Sequence, residues 1–473
     1  MTKHTDPQEK FQWLTTAPIP GLVGQLAVPT VISMLITSIY NMADTYFVGS
    51  LGTSAQGAVG VVFSLMAIIQ ALGFTFGNGS GNYVSRLLGQ QRREEAETVA
   101  ATGFFSGVII GGALAVGGLL LLDPLVGLLG ATDTVLPYAR EYARYILIGA
   151  PWMVGAFVLN NLLRFEGNAT YAMMGITAGG ILNMLLDPFF IFPTRQWYGL
   201  TIFGLDMGVG GAALATIISQ AVSFLILLFN SGRGGTLPIR IRRFAPGQGR
   251  LWVIIKGGLP SMYRQGLASV ASILLNWAAK PYLDAAQAAM AIVSKVTMFA
   301  GSAMIGFGQG FQPVCGFNYG AGLYDRVRKG FWFCVRVGTL VMAAIALGGV
   351  LAAPWVVGAF QKNDPEVVRM GVFALRLHLS TLPLTAYIII NNMMLQTVGE
   401  NVRASVLALA RQGLFFVPFI LLLPIAMGFS GVAAAQPVAD VCSFLLAIPL
   451  SAGFLRKMHR MEEGKTEGGG ENG

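Results

Sequence analysis

Long apolar runs alternate with short polar connections along the whole chain. Twelve runs can be delimited, at 22–48, 57–85, 97–122, 138–163, 171–193 and 208–230, then at 257–282, 287–316, 330–358, 371–396, 403–426 and 431–455. About 20 apolar residues are enough to cross a bilayer as a helix, so each run predicts one crossing. Stretches such as GGALAVGGLLLL lack the every-second-residue alternation of a membrane barrel strand. The predicted class is an all-helical integral membrane protein of twelve transmembrane helices.

Composition agrees with this reading. Hydrophobic residues make up 54% of the 473 and charged residues only 11%, against roughly 25% charged in a soluble domain. The net charge of +9 would suggest nucleic acid in a soluble protein, but the basic residues lie in the connections. Arg92, Arg93, Arg164, Arg233, Arg240, Arg242, Arg243, Arg250, Arg326, Arg328, Lys329 and Arg403 fall on one side, and only Arg195, Lys280, Lys362 and Arg369 on the other. The basic side is cytoplasmic, which puts both termini inside a plasma membrane. Residues 1–21 carry no signal-peptide pattern and are expected to be a cytoplasmic segment. Residues 456–473 are glycine-rich and charged and are expected to be disordered. Gly464-Lys465-Thr466 has His459 where a phosphate loop needs glycine, so no ATP site is expected. Cys315, Cys334 and Cys442 show no CxxC spacing, which argues against a disulfide framework or a thiolate zinc site.

The longest basic connection, residues 231–256, divides an N-terminal lobe (22–230) from a C-terminal lobe (257–455), and the two are repeats. Pro29 and Pro260 are 231 residues apart, as are Gly77 and Gly308, Gly79 and Gly310, and Gly89 and Gly320; Pro151 and Pro383, Asn160 and Asn392, and Gly167 and Gly399 follow at 232. Six crossings per unit is an even number, so the halves enter the membrane in the same sense and are related by a pseudo-two-fold axis along its normal. A central cleft between such lobes suits a secondary transporter working by alternating access.

Acidic residues inside apolar runs are costly and point to function. Asp44 in the first run and Asp187 in the fifth have no acidic counterpart in the second lobe, where Leu275 and about Phe419 stand in their places. At 1.5 Å per residue, Asp44, Asp187 and Thr216 of the sixth run occupy a similar layer near the outer surface. Asn183, four residues before Asp187, shares its helix face, and Tyr142 of the fourth run enters the same layer. Two desolvated carboxylates side by side would share one proton or hold a bare hard cation such as sodium among oxygen ligands. The other reading of these groups is a structural hydrogen-bond cluster. Pro29, on the same helix as Asp44, removes a backbone hydrogen bond and permits a bend, either a hinge or a structural kink shared with Pro260.

In the second lobe, Lys295 and Asp440 lie at similar depth and are expected to form a salt bridge, with contact to substrate in the cleft as the alternative. Arg264 and Arg411 are expected to snorkel towards lipid headgroups. Asn160, Asn161, Asn391 and Asn392 are expected to bond between helices, and the glycines of FGNGSG and GFGQG to allow close helix packing.

The stretches NMADTYFVGSLG, LLRFEGNATYAMMGITAGGILNMLLDPFFIF, GAALATIISQ and QGFQPVCGFNYGAG, in order within a duplicated six-helix plan, resemble the multidrug and toxic compound extrusion (MATE) family, and its DinF-like prokaryotic branch in particular. The resemblance runs from about residue 15 to 455. It implies two six-helix lobes and export of varied, often cationic and aromatic drugs or toxic metabolites by antiport against protons or sodium, with no further cofactor. It also implies that Asp44, Asn183, Asp187 and Thr216, with Tyr142 nearby, form the ion-coupling site. Relatives of the NorM-like branch carry acids in their seventh and tenth helices, and the corresponding stretches SMYRQGLASVASILL and FALRLHLSTLPL offer none.

The competing transport function is a flippase for a lipid-linked or amphipathic anionic substrate, which a cationic cavity would favour and an acidic cluster opposes. An intramembrane protease would need YD and GxGD or HExxH contexts. Asp44 and Asp187 lie in neither of the first two, and His378 is the one histidine in an apolar run, so no enzyme is expected.

Overall fold

The computed structural model describes residues 6–197, 200–233, 236–360 and 364–468. The first half contains α1 (Pro7–Thr16), α2 (Ile19–Gly49), α3 (Thr53–Gly89), α4 (Arg93–Leu120), α5 (Leu122–Leu128), α6 (Leu136–Phe165), α7 (Ala169–Ile191) and α8 (Gly208–Asn230). The second contains α9 (Arg250–Ala279), α10 (Leu283–Gly320), α11 (Tyr324–Phe360), α12 (Pro365–Val398), α13 (Asn401–Leu409), α14 (Phe416–Met427) and α15 (Phe429–Gly468). Among the described residues, eleven helical spans are long and apolar enough to cross a membrane; α9 is the remaining one of the twelve predicted crossings.

Several features depart from the sequence expectations. The N-terminal segment contains α1, a helix too short for its period to stand out, held by burial of Leu14 and Lys10. The connection between α7 and α8 is an antiparallel hairpin, β1 (Pro193–Trp197) with β2 (Leu200–Leu205). The inter-lobe linker is shorter than read, because α9 starts at Arg250. The expected disordered tail is helical to Gly468: His459 pairs with Glu463 one turn on, Lys457 reaches Glu400 at 2.9 Å, and Met458 is fully buried. Residues 469–473 and Lys362 lie outside the described residues. The eleventh crossing is interrupted between α13 and α14 by a π-helical turn, Ala410–Phe415.

Two compact units divide the chain. Unit 1 comprises residues 1–10, 32–87 and 92–258, and unit 2 comprises 11–31, 88–91 and 259–473. The first crossing of each half is therefore split: α2 changes unit after Val31, two residues past Pro29, and α9 changes after Gly258, two residues before Pro260. Within unit 1, α6 packs against α4, α7 and α8; within unit 2, α12 packs against α10, α11 and α15. These central helices end alike. Gly167 and Gly399 adopt φ of 81° and 91°, left-handed values that glycine takes without a Cβ clash. Asn160 Nδ2 donates to the Ala172 carbonyl at 3.1 Å and Asn392 Nδ2 to the Ala404 carbonyl at 2.7 Å, one bond made twice by the repeat.

Candidate functional site

Four helices of unit 1 converge on one polar cluster. Small residues of α7 make the approach possible: a Cβ on Gly179 would lie 2.9 Å from the Ser223 Cβ on α8, and one on Gly180 3.1 Å from the Tyr40 ring on α2. One turn further along α7, Asn183 Nδ2 donates to Asp187 Oδ1 at 3.3 Å and to Thr216 Oγ1 at 3.4 Å. The Thr216 hydroxyl itself donates to the Ala212 carbonyl at 3.0 Å. Asp187 and Tyr142 are fully buried, Asn183 and Thr216 nearly so, and Asp44 is half-buried. Asp44 lies within electrostatic reach of Asp187, and Tyr142 of both carboxylates. The structure thus gathers all five first-lobe candidates in one place. Sequence reasoning missed Tyr40, which interacts with Asp44; its signal was a position one turn before that acid.

The cluster is rich in unused oxygen. Among the described residues, Asp44 Oδ1, Asp187 Oδ2, Asn183 Oδ1 and the Tyr142 hydroxyl are buried without a hydrogen-bond partner. Buried polar atoms are almost always paired, so four orphans in one cluster indicate capacity for a bound species. Carboxylate, carboxamide and hydroxyl oxygens suit a proton or a hard cation.

Unit 2 holds a cavity of about 400 Å³ lined by α9, α10, α12, α13, the π turn, α14 and α15. Two expectations are corrected here. Lys295 is exposed, and Asp440 pairs instead with Arg411, whose Nε donates to Asp440 Oδ1 at 2.7 Å; Gln436 Nε2 donates to the same oxygen at 2.9 Å. Arg264 and Arg411 do not snorkel, because both line the cavity, and Arg264 donates to Asn392 Oδ1 at 3.3 Å. The π turn brings the consecutive residues Arg411 and Gln412 onto this one cavity wall, an orientation that helical periodicity does not anticipate.

A second network was also not foreseen. Arg164, read from sequence as a connecting-loop charge, is 1% exposed and donates to Asn78 Oδ1 at 3.1 Å and to Asn161 Oδ1. Its guanidinium lies 4.7 Å from the Phe165 ring centroid.

The MatE family model matches the chain twice, over residues 29–189 and 260–422. The chain belongs to the MatE family. The two matches begin at Pro29 and Pro260, the residues that mark the internal repeat. MATE membership makes the chain a multi-pass membrane transporter of two lobes and twelve crossings, rather than an enzyme. A relative named multidrug export protein MepA, from Staphylococcus haemolyticus (strain JCSC1435), is 28% identical over 423 residues, covering 89% of this chain and 90% of its own length. A crystal structure of MATE in complex with MaL6 superposes with a TM-score of 0.87 at 26% identity, covering 97% of this chain and 100% of that one. A multidrug resistance MATE family transporter in an outward-facing conformation gives 0.86 at 26% identity, covering 94% and 99%.

Proposed function

We propose that this protein is a secondary active multidrug exporter of the plasma membrane, with both termini cytoplasmic, and that it works by alternating access. It antiports varied, often cationic and aromatic, compounds against protons or sodium. The coupling ion is held by Asp44, Asn183, Asp187 and Thr216, with Tyr142 beside them. The observation that carries this reading is the set of four unpartnered buried oxygens in one unit-1 cluster, where bare carboxylates are costly unless an ion compensates them. The MepA and MATE relatives support the exporter class.

The test is efflux of a fluorescent cationic dye from proteoliposomes, with a proton gradient and a sodium gradient imposed separately. Efflux driven by one gradient and abolished in Asp44→Asn supports the antiporter and names its ion. Equal efflux by wild type and Asp44→Asn would remove the site assignment.

A further inference from the structure

The polarity of the unit-2 cavity is the reverse of the unit-1 cluster. Its wall carries two guanidiniums, Arg264 and Arg411, against one carboxylate, Asp440. Asp440 is already occupied by Arg411 and Gln436, so it has little capacity left for a cationic ligand. Among the described residues, Arg264 has only the neutral Asn392 as a hydrogen-bond partner, and no ion pair includes it. A guanidinium confined in a low-dielectric cavity without a counter-ion favours an anion there, and its planar fork matches a carboxylate in particular.

Two further atoms on the same wall have no partner. Among the described residues, Gln412 Oε1 and His378 Nε2 are buried and unbonded, and His378 is 9% exposed. The first accepts a hydrogen bond, and the second donates or accepts according to its tautomer. The rest of the lining is largely apolar and includes Met298, Met393 and Phe416, side chains that adapt to varied shapes. The volume of about 400 Å³ falls within the roughly 300–1,000 Å³ of small-molecule pockets.

We propose that the unit-2 cavity binds an amphipathic organic acid, its carboxylate paired with Arg264 and an uncharged hydroxyl or amide donor bonded to Gln412 Oε1. The protein then holds opposite charges in separate units: an ion in the acidic cluster and an organic anion in the cationic cavity. The cavity extends the range of compounds handled beyond cations, and binding to it requires no ion gradient.

The experiment is equilibrium dialysis of 6-hydroxy-2-naphthoate, 2-naphthoate and 6-hydroxy-2-naphthoate methyl ester against the full-length protein in phosphatidylcholine nanodiscs. Saturable binding of the hydroxy acid is expected, with at least tenfold weaker binding of the ester. Arg264→Gln should lose at least tenfold, Arg264→Lys should lose less, and Gly60→Ala, which meets nothing within 4 Å and lies outside this cavity, should bind as wild type. Gln412→Leu should erase the advantage of the hydroxy acid over 2-naphthoate. No saturable binding by the wild-type protein, ester bound as tightly as acid, or full binding by folded Arg264→Gln overturns the proposal. Adding phosphatidylglycerol should leave acid binding unchanged; displacement would make a lipid headgroup the natural anion and overturn the assignment to a free organic acid.

Discussion

Gly79 of α3 lies so close to Ile254 of α9 that a Cβ on the glycine would sit 2.0 Å from the Ile254 carbonyl oxygen. The repeat makes the same contact in the other unit, where a Cβ on Gly310 would lie 2.4 Å from the Ala27 Cα. Both obstacles are backbone, which cannot rotate away. Gly79→Ala and Gly310→Ala should therefore each destabilise the protein by about 1–3 kcal/mol, as overpacking does. Gly60, with nothing within 4 Å of its would-be Cβ, is the control: Gly60→Ala should be neutral or stabilising by up to about 1 kcal/mol from helix propensity. Thermal unfolding of the purified protein in detergent separates these outcomes.

The pairing of Asp440 makes a second prediction. Removing one member of a buried ion pair costs up to about 3–5 kcal/mol, and less here because the Arg411 side chain is 30% exposed while that of Asp440 is 6% exposed. Arg411→Met should destabilise clearly, and Arg411→Met combined with Asp440→Leu should recover part of the loss, since no charge is then stranded. Lys295→Met should do nothing to stability. A thermal shift for Lys295→Met as large as that of Arg411→Met would restore the pairing expected from sequence.

A buried pair outside the membrane spans should make stability depend on pH. Glu166 follows α6 and accepts a hydrogen bond from the Leu237 amide at 2.7 Å, and Lys10 of α1 lies in the same unit. Burial pushes Glu166 up to about 7 and Lys10 down to about 8, while the attraction between them opposes both shifts; Arg93 and Glu97 add smaller effects. The raised acid contributes stability that is full below about 4.5 and lost as pH rises through about 7. The lowered amine contributes stability that is full above about 10.5 and lost as pH falls through about 8. The joint contribution is therefore smallest between these two values. Unfolding followed from pH 5 to 10 should show that minimum in the wild type; Glu166→Gln should lose the acid limb and, by removing the attraction that holds Lys10 up, move the amine limb to lower pH, and a profile unchanged by Glu166→Gln would contradict the assignment.

The acidic pair at the heart of the cluster was legible because both carboxylates break a rule visible in sequence. Asp44 and Asp187 are charges in apolar runs without counterparts in the repeat, and Asn183 follows from helical spacing. The duplicated fold was legible through Pro29, Pro260 and the paired glycines. What stayed hidden depends on tertiary direction. Arg411 faces Asp440 because of a π turn, and no residue in ARQGLF announces that turn. Arg164 is buried although it stands at a helix end beside a polar connection, because Asn78 and Asn161 reach it from within the unit.

The coupling site itself allows a graded test. Asp187 accepts from Asn183 and keeps one orphan oxygen, and Thr216 presents its oxygen to the same amide. Asp187→Asn removes the charge that an ion would balance, so it should abolish coupled dye efflux while the protein remains folded. Thr216→Val keeps the shape but removes one ligand oxygen, and should weaken ion dependence, raising the half-saturating ion concentration about tenfold, the equivalent of about 1.4 kcal/mol. Equal, mild effects of both substitutions would instead describe a structural hydrogen-bond cluster.

Pro29 stands two residues before the point at which α2 passes from one unit to the other. A proline there lacks the amide that would bond back along the helix, and the Thr30 hydroxyl beside it donates to the Gly306 carbonyl at 2.6 Å, which anchors the N-terminal part of α2 to α10 within unit 2. The part of α2 carrying Asp44 belongs to unit 1, so bending at Pro29 would alter the angle between the anchored part and the ion site. Pro29→Ala restores a hydrogen bond and stiffens the helix at this point. Turnover of dye efflux should fall severalfold, while ion binding to the purified protein, read by isothermal titration, should stay as in the wild type. Unchanged turnover would reduce Pro29 to a structural kink of the kind its partner Pro260 makes, and a loss of ion binding would show that the bend shapes the site instead of moving it.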